Sequence, residues 1–310
     1  MDEFERAMGA LLGVFVGDAL GEQVRGVLEE AVKAEFPEGL MEMYSKERAQ
    51  GDTGEITEEG ALTILLANSI IQNERFDIDH IKATYRAWNK EEPELMDASL
   101  ATALQETPSA KSDSALSLVR LVPLAIYGAQ RSERELLKNA EAECSLTHAN
   151  QLCLDGGRIL ALAIARLVSE ELTADELLTY LKITSAKLKL DERVQKAIEL
   201  GGKRPPALKG DSVPIALQLC IHTLLNSSSF EEGMVRVASK GGDAAGINAS
   251  LYGALAGALY GAEAIPERWV GELQVSEGLE RYLKKQSRFR RLNMNLSLMA
   301  HDLAEKLLKL

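Results

Sequence analysis

Cysteine is scarce in this chain. Three occur in 310 residues, Cys144, Cys153 and Cys220, and no C-x-x-C pair links them. That excludes a disulfide framework or a thiolate metal site, and all three are expected to be reduced and buried. Aromatic residues make up only 5%, although 46% of the chain is apolar. The apolar content is mostly Ala and Leu, which favours helices packed closely through small side chains. Positive charge is also short. The 35 Lys and Arg are outweighed by 47 Asp and Glu, for a net charge of -12. A general nucleic-acid binder needs a basic footprint, so that class is excluded, whereas a local positive pocket for one phosphorylated ligand is not. No apolar run reaches the roughly 18 uninterrupted residues of a membrane helix. The nearest, SLYGALAGALYGAEAI, is rich in Gly and Ala. The acidic start MDEFERAMGALLG lacks a basic leader region, so a cytoplasmic location and no membrane partner are expected. Strand alternation and hairpin signals are missing. So are G-x-S-x-G, the phosphate loop and H-E-x-x-H.

What remains is a succession of helices. In EFERAMGALLGVFVGDALG, apolar residues recur at helical spacing through Met8, Leu11, Leu12, Phe15 and Ala19. Gly9, Gly13 and Gly17 fall four apart on one side, where they predict the close approach of another helix. Asp18 stands near the end of this helix. GDTGEITEEGALTILLANSIIQ begins as a loop and continues as a helix, with Thr57 at its N-cap and Glu58 and Glu59 in the first turn. Taken alone, that pair is ordinary helix-start chemistry.

Helices are predicted over 77–89, with Trp88 as an anchor, and over 97–104. Pro123 breaks or kinks LSLVRLVPLAIYG. Arg120 in that apolar run must either snorkel outward or pair with an acid. The turn LTHAN joins two helices, with Thr147 and Asn150 as candidate caps and His148 in a structural hydrogen bond. His80 and His301 are expected at the surface and His222 packed. Thr173 and Glu176 form a capping box. Pro214 fits the first turn of SVPIALQLCIH. SFEEGMVRVASKGGD ends a helix near Gly241, and further helices follow over about 275–287 and 297–309. The basic stretch KKQSRFRRLN, 284–293, reads as solvated surface. The expected fold is all-α, a single compact multi-helix domain over residues 1–310.

The ordered series of segments resembles the ADP-ribosylglycohydrolase family, which includes dinitrogenase-reductase-activating glycohydrolases and some lens crystallins. GALLGVFVGDALGEQV is similar to the family's first helix, and TEEGALTILLANSI to its T-D-D-T-x-M-T segment. SLVRLVPLAI, LTHAN and DSVPIALQLCIH resemble its Met-Arg-x-x-Pro-Leu region, Thr-His turn and Ser-Val-Pro helix. SFEEGMVRVASKGGDAAGINASLYGALAGALYGAEAIPERW resembles its most specific block. The resemblance covers about residues 4–272. It implies an all-α bundle and, in active members, hydrolysis of ADP-ribosyl bonds with two Mg²⁺ or Mn²⁺ ions held by carboxylates and hydroxyls. Such hard ions take oxygen ligands and can orient a sugar or activate water.

The same comparison implies a metal set of Thr57, Glu58, Glu59 and Asp243. It implies Glu58 and Glu59 as catalytic residues. Asp18, Arg25, Arg120, His148, Asn150 and Gly242 are the ligand-binding set. An ADP-ribose-like small molecule or an ADP-ribosylated protein is the implied partner. The departures fall where the metals would sit. The family's paired aspartates are Glu58 and Glu59, and the next threonine is Gly60. Its G-G-D-T-D-T is GGDAAG, so Ala244, Ala245 and Gly246 replace a hydroxyl, a carboxylate and a hydroxyl beside Asp243. An acid following the first helix is Arg25, which stands in for a metal ion or grips a phosphate. At most one ion is then expected, and loss of the metal altogether is the other outcome. A shifted register would bring Asp52 or Glu55 into the site instead. Two functions follow: a glycohydrolase in which Glu58 or Glu59 activates water, or an impaired family member that binds a nucleotide-like ligand or serves as an interaction protein.

Overall fold

The computed structural model describes residues 1–44, 53–91, 98–105, 107–285 and 294–310. Seven helices frame the site: α1 (Glu3–Glu22), α2 (Glu58–Asn73), α3 (Glu133–Cys144), α4 (Gln151–Ser169), α5 (Val213–Leu225), α6 (Phe230–Ala238) and α7 (Ala245–Tyr260). Among the described residues there is no strand, only isolated bridges such as Ser109 with His148 and Glu55 with Gln274. The all-α expectation holds. No helix among those residues is long and apolar enough to cross a membrane.

Local signals place most helix ends. Asp2 accepts from the Glu5 N–H at the start of α1. Asn150, rather than Thr147, caps α4 through the Leu152 N–H. The Thr173–Glu176 capping box forms at the head of Ala174–Lys187. Pro123 splits its run into Leu116–Val119 and Val122–Gly128, where its missing N–H falls in a first turn. The helix expected over 97–104 spans Ala98–Gln105, and Asp97 lies outside the described residues. Most of the basic stretch 284–293 also lies outside them. The three cysteines are free and buried. His80 departs from its surface expectation: it is half-buried, with Nδ1 2.6 Å from Ser69 Oγ.

The centre of the molecule is the antiparallel pair α1 and α7. Both are buried nearly all round, as helices without a polar face must be. The glycine stripe of α1 meets a matching stripe of small residues on α7. A Cβ added at Gly13 would lie 1.9 Å from the Gly253 carbonyl oxygen, and one at Gly17 2.3 Å from that of Ala249. The stripe continues to Gly21, which faces Ala245. Backbone meets backbone along the whole crossing, so the end of α1 is held against the start of α7. The first turn of α2 closes on the same point.

Candidate functional site

The site begins with the four orphan N–H groups that open any helix. At α2 two such N–H groups, those of Thr57 and Gly60, are satisfied from another helix. Asp18, fully buried on α1, accepts from the backbone N–H of Thr57 at 2.8 Å and of Gly60 at 2.9 Å through Oδ2. Thr57 holds the N-cap position, but its hydroxyl makes no capping bond. That hydroxyl lies 2.7 Å from Asp18 Oδ1 and 2.6 Å from Glu59 Oε2. It has one proton and so can donate to only one of the two carboxyl groups at a time. Gly60 serves this arrangement: a Cβ there would stand 2.9 Å from Ile56 Cβ and 3.0 Å from Asp18 Oδ2.

Glu58 and Glu59 are buried in the same turn, and Arg25 reaches them from beyond the end of α1. Its Nε lies 2.7 Å from Glu22 Oε2, Nη2 3.5 Å from Glu59 Oε1 and Nη1 3.8 Å from Glu58 Oε1. The Arg25 side chain is 28% exposed, against 17% for Glu22 and 0% for Glu59, so the cation is the outermost member of the cluster. The start of α7 completes the wall. A Cβ at Gly246 would lie 3.3 Å from Glu59 Oε1 and 3.4 Å from Arg25 Nη2.

Four acids around one cation cannot all ionise at ordinary cost. Burial, then the Glu59 charge, raises Asp18 well above the usual carboxylate range. The same causes push Glu58 up to about 9, and burial pushes Glu22 up to about 7. Burial opposes the charge on Arg25, but Glu59, Glu22 and Glu58 outweigh it and raise its pKa. The cluster is therefore a proton-bearing network around a fixed guanidinium.

The sequence-predicted residues divide into separate neighbourhoods. Asp18, Arg25, Thr57, Glu58 and Glu59 come together. Asp243 is exposed, and Gly246 is the α7 residue that stands against Glu59 and Arg25. Gly242 lies in a turn with positive φ at Gly241 and Gly242; its N–H donates to the Val27 carbonyl at 2.7 Å, and the space beside it is open. Glu55 pairs its backbone with Gln274, and Asp52 lies outside the described residues. The contacts with Asp18 and Arg25 are thus made in the Thr57–Glu59 register.

Arg120 belongs to another network. It is 1% exposed, with Nε 2.6 Å from Glu143 Oε1 and Nη2 donating to Thr147 Oγ1 at 2.7 Å. It pairs with an acid, as one of its two expected fates required. Tyr85 donates to the same Glu143 oxygen, and Thr147 Oγ1 lies 2.8 Å from His148 Nδ1. Arg120 thereby fixes the turn that carries His148, which is buried, while Asn150 is engaged as a helix cap. Sequence reasoning missed Glu22, Glu143 and Tyr85. The i,i+3 spacing of Glu22 and Arg25 was a usable signal. Glu143 carried none beyond the need for some acid to meet Arg120. Among the described residues no group of three or more His, Cys, Asp or Glu side chains is arranged to hold a metal ion.

With this geometry in view, the family profile described as ADP-ribosylglycohydrolase matches residues 1–304. An uncharacterized protein of Archaeoglobus fulgidus is 27% identical over 91% of this chain and 95% of its own length. The ADP-ribosyl-[dinitrogen reductase] glycohydrolase of Rhodospirillum rubrum is 22% identical over 91% of this chain and 94% of its own. A solved structure titled as an ADP-ribosylglycohydrolase-related protein complex superposes with a TM-score of 0.80. It is 26% identical and covers 99% of this chain and 98% of that one.

Proposed function

The chain belongs to the ADP-ribosylglycohydrolase family, and on that premise we propose that it binds an ADP-ribose-like ligand at a site where Arg25 has replaced the metal ions. The observation that carries this reading is the guanidinium lodged among Glu22, Glu58 and Glu59.

The residues present fit a two-metal centre poorly. A hard divalent ion needs about six oxygen ligands with near-ideal geometry. Here the Thr57 hydroxyl is occupied by Asp18 and Glu59, Asp243 is exposed, and Ala245 and Gly246 carry no ligand atom. The charge that an ion would supply is already supplied by Arg25, and buried acids left over are neutralised by protons. A guanidinium also presents several donors in a fixed plane, which suits a ribose or phosphate oxygen. In this reading Arg25 is the ligand-facing group and Glu22, Glu58 and Glu59 hold it in place. Glu59 is kept by Thr57, which is kept in turn by Asp18. The open turn at Gly242, which leads along the chain to Gly246, extends the ligand-binding set, while His148 stays in the separate network of Arg120 and Thr147.

A second reading is retained for one observation: two carboxyl groups, Glu58 and Glu59, still stand buried in one helical turn. A glycohydrolase would use one to protonate a leaving group and the other to activate water. Calorimetry with ADP-ribose, with and without Mg²⁺, paired with a turnover assay on ADP-ribosylated arginine, separates the two. Binding that ignores Mg²⁺, without turnover, is expected. Turnover abolished by Glu59→Gln establishes the hydrolase instead, and no affinity for ADP-ribose removes both readings.

A further inference from the structure

Outside the carboxylate cluster, three lysines converge on one acid. Glu29, in the short helix Glu29–Glu35, is 7% exposed. Its Oε1 takes Lys33 Nζ at 2.7 Å and Lys240 Nζ at 3.1 Å, and its Oε2 takes Lys209 Nζ at 2.8 Å. The lysines come from three separate parts of the chain. Their side chains remain 66%, 64% and 44% exposed for Lys33, Lys209 and Lys240. One lysine would neutralise Glu29. Three leave an excess of two positive charges, or of one when Glu30, 3.7 Å from Lys209, is counted. In a chain of net charge -12, such a local excess requires an explanation.

Each ammonium has three donors, and a buried carboxylate offers too few lone pairs for all of them. The surplus donors are available to solvent, where they can meet an anion. The surroundings suit a nucleotide. Leu28 and Leu208, 71% and 72% exposed, directly precede Glu29 and Lys209 and so place apolar surface beside the cluster. Lys240 leads into the Gly241–Gly242 turn, which is bonded to Val27 and open beside Gly242. The same stretch ends at Gly246, against Arg25 and Glu59. Lys240 and Gly246 are therefore separated by at most about 22 Å of extended chain.

We infer that Lys33, Lys209 and Lys240 form a binding site for a diphosphate group, organised from beneath by Glu29. That the diphosphate is the one within an ADP-ribose-like ligand rests on the function proposed above. Burial of Glu29 is outweighed by hydrogen bonds from Lys209, Lys33 and Lys240, which hold its pKa down to about 2, so the organising charge persists across the physiological range.

The test is calorimetry on the full chain with two probes, inorganic pyrophosphate and ADP-ribose. It compares the wild type with Lys209→Glu/Lys240→Glu and the milder Lys209→Gln/Lys240→Gln. Both pairs change exposed side chains, and circular dichroism melting checks that each variant folds. Pyrophosphate is expected to compete with ADP-ribose in the wild type. Each double variant should weaken both ligands by about tenfold or more, given the strength of charge-assisted hydrogen bonds. If ADP-ribose binds all three proteins equally and pyrophosphate does not compete, the lysine site is wrong while the proposed function stands. If the wild type binds neither probe, both are wrong.

Discussion

A Cβ placed on Gly13 would stand 1.9 Å from the carbonyl oxygen of Gly253, and one on Gly253 would stand equally close to the carbonyl oxygen of Gly13. Neither atom can move without shifting a whole helix. Gly13→Ala therefore opposes two effects. Alanine improves helix propensity by about 1 kcal/mol. The clash with backbone, like other overpacking, costs about 1–3 kcal/mol or more, and here it wins because no flexible side chain can yield. A lower denaturant midpoint is expected. Gly246→Ala meets only the ends of Glu59 and Arg25, so it should be far milder.

The Arg120–Glu143 pair predicts a larger loss. Both side chains are buried, and Glu143 also accepts from Tyr85. Glu143→Leu strands a buried guanidinium and should cost about 3–5 kcal/mol in chemical denaturation. Replacing both partners, as in Arg120→Met/Glu143→Leu, should recover much of that loss. A double variant as unstable as the single one would show that the pair is not the source of the effect.

Two acids give opposite pH dependences. The depressed pKa of Glu29 contributes stability above its unfolded value near 4.5, and this is lost as pH falls towards about 2. The pKa of Glu22 is raised to about 7, chiefly by burial and against the pull of Arg25. Its contribution is fully present below about 4.5 and declines as pH rises to 7, because the unfolded chain releases the proton first. Glu22→Gln should flatten the stability profile between those values, and Glu29→Gln should flatten its acid limb. Unfolding free energies measured from pH 2 to 9 check both signs.

Removing the resident cation should change the response to metal. In Arg25→Ala the acids lose their counter-charge, and Mg²⁺ binding only the folded state would stabilise it by about 2.7 kcal/mol at a hundredfold excess over Kd. The melting temperature of the variant should rise with Mg²⁺ while that of the wild type does not. Equal responses would mean that Arg25 does not occupy the place of an ion.

Much of the fold could be read from the sequence because it depends on local spacing. The Gly9–Gly13–Gly17 stripe announced a close helix, and Pro123 announced a break. What could not be read was which distant groups meet. The partner stripe at Ala245, Ala249, Gly253 and Gly257 lies more than two hundred residues away, in a segment whose small residues occur on all faces. Thr57 had the right position for a cap, yet the capping oxygen, Oδ2, comes from Asp18 on another helix. The cluster of Glu58, Glu59 and Arg25 was legible, since the change to arginine at 25 alters charge while glutamate at 58 and 59 keeps it, so an acid and a base stood out together. Glu143 was not, because helical acids are common and only the fold buries this one, whereas half-buried Glu22 could have been found from its i,i+3 spacing to Arg25.

The central claim is that a guanidinium has taken the place of metal in this cluster. Electron paramagnetic resonance of Mn²⁺ mixed with an equal concentration of the wild-type protein tests it most directly. The account predicts that the free-Mn²⁺ signal persists undiminished, with or without ADP-ribose. A signal quenched by one or two equivalents, and restored by Glu59→Gln, would contradict it.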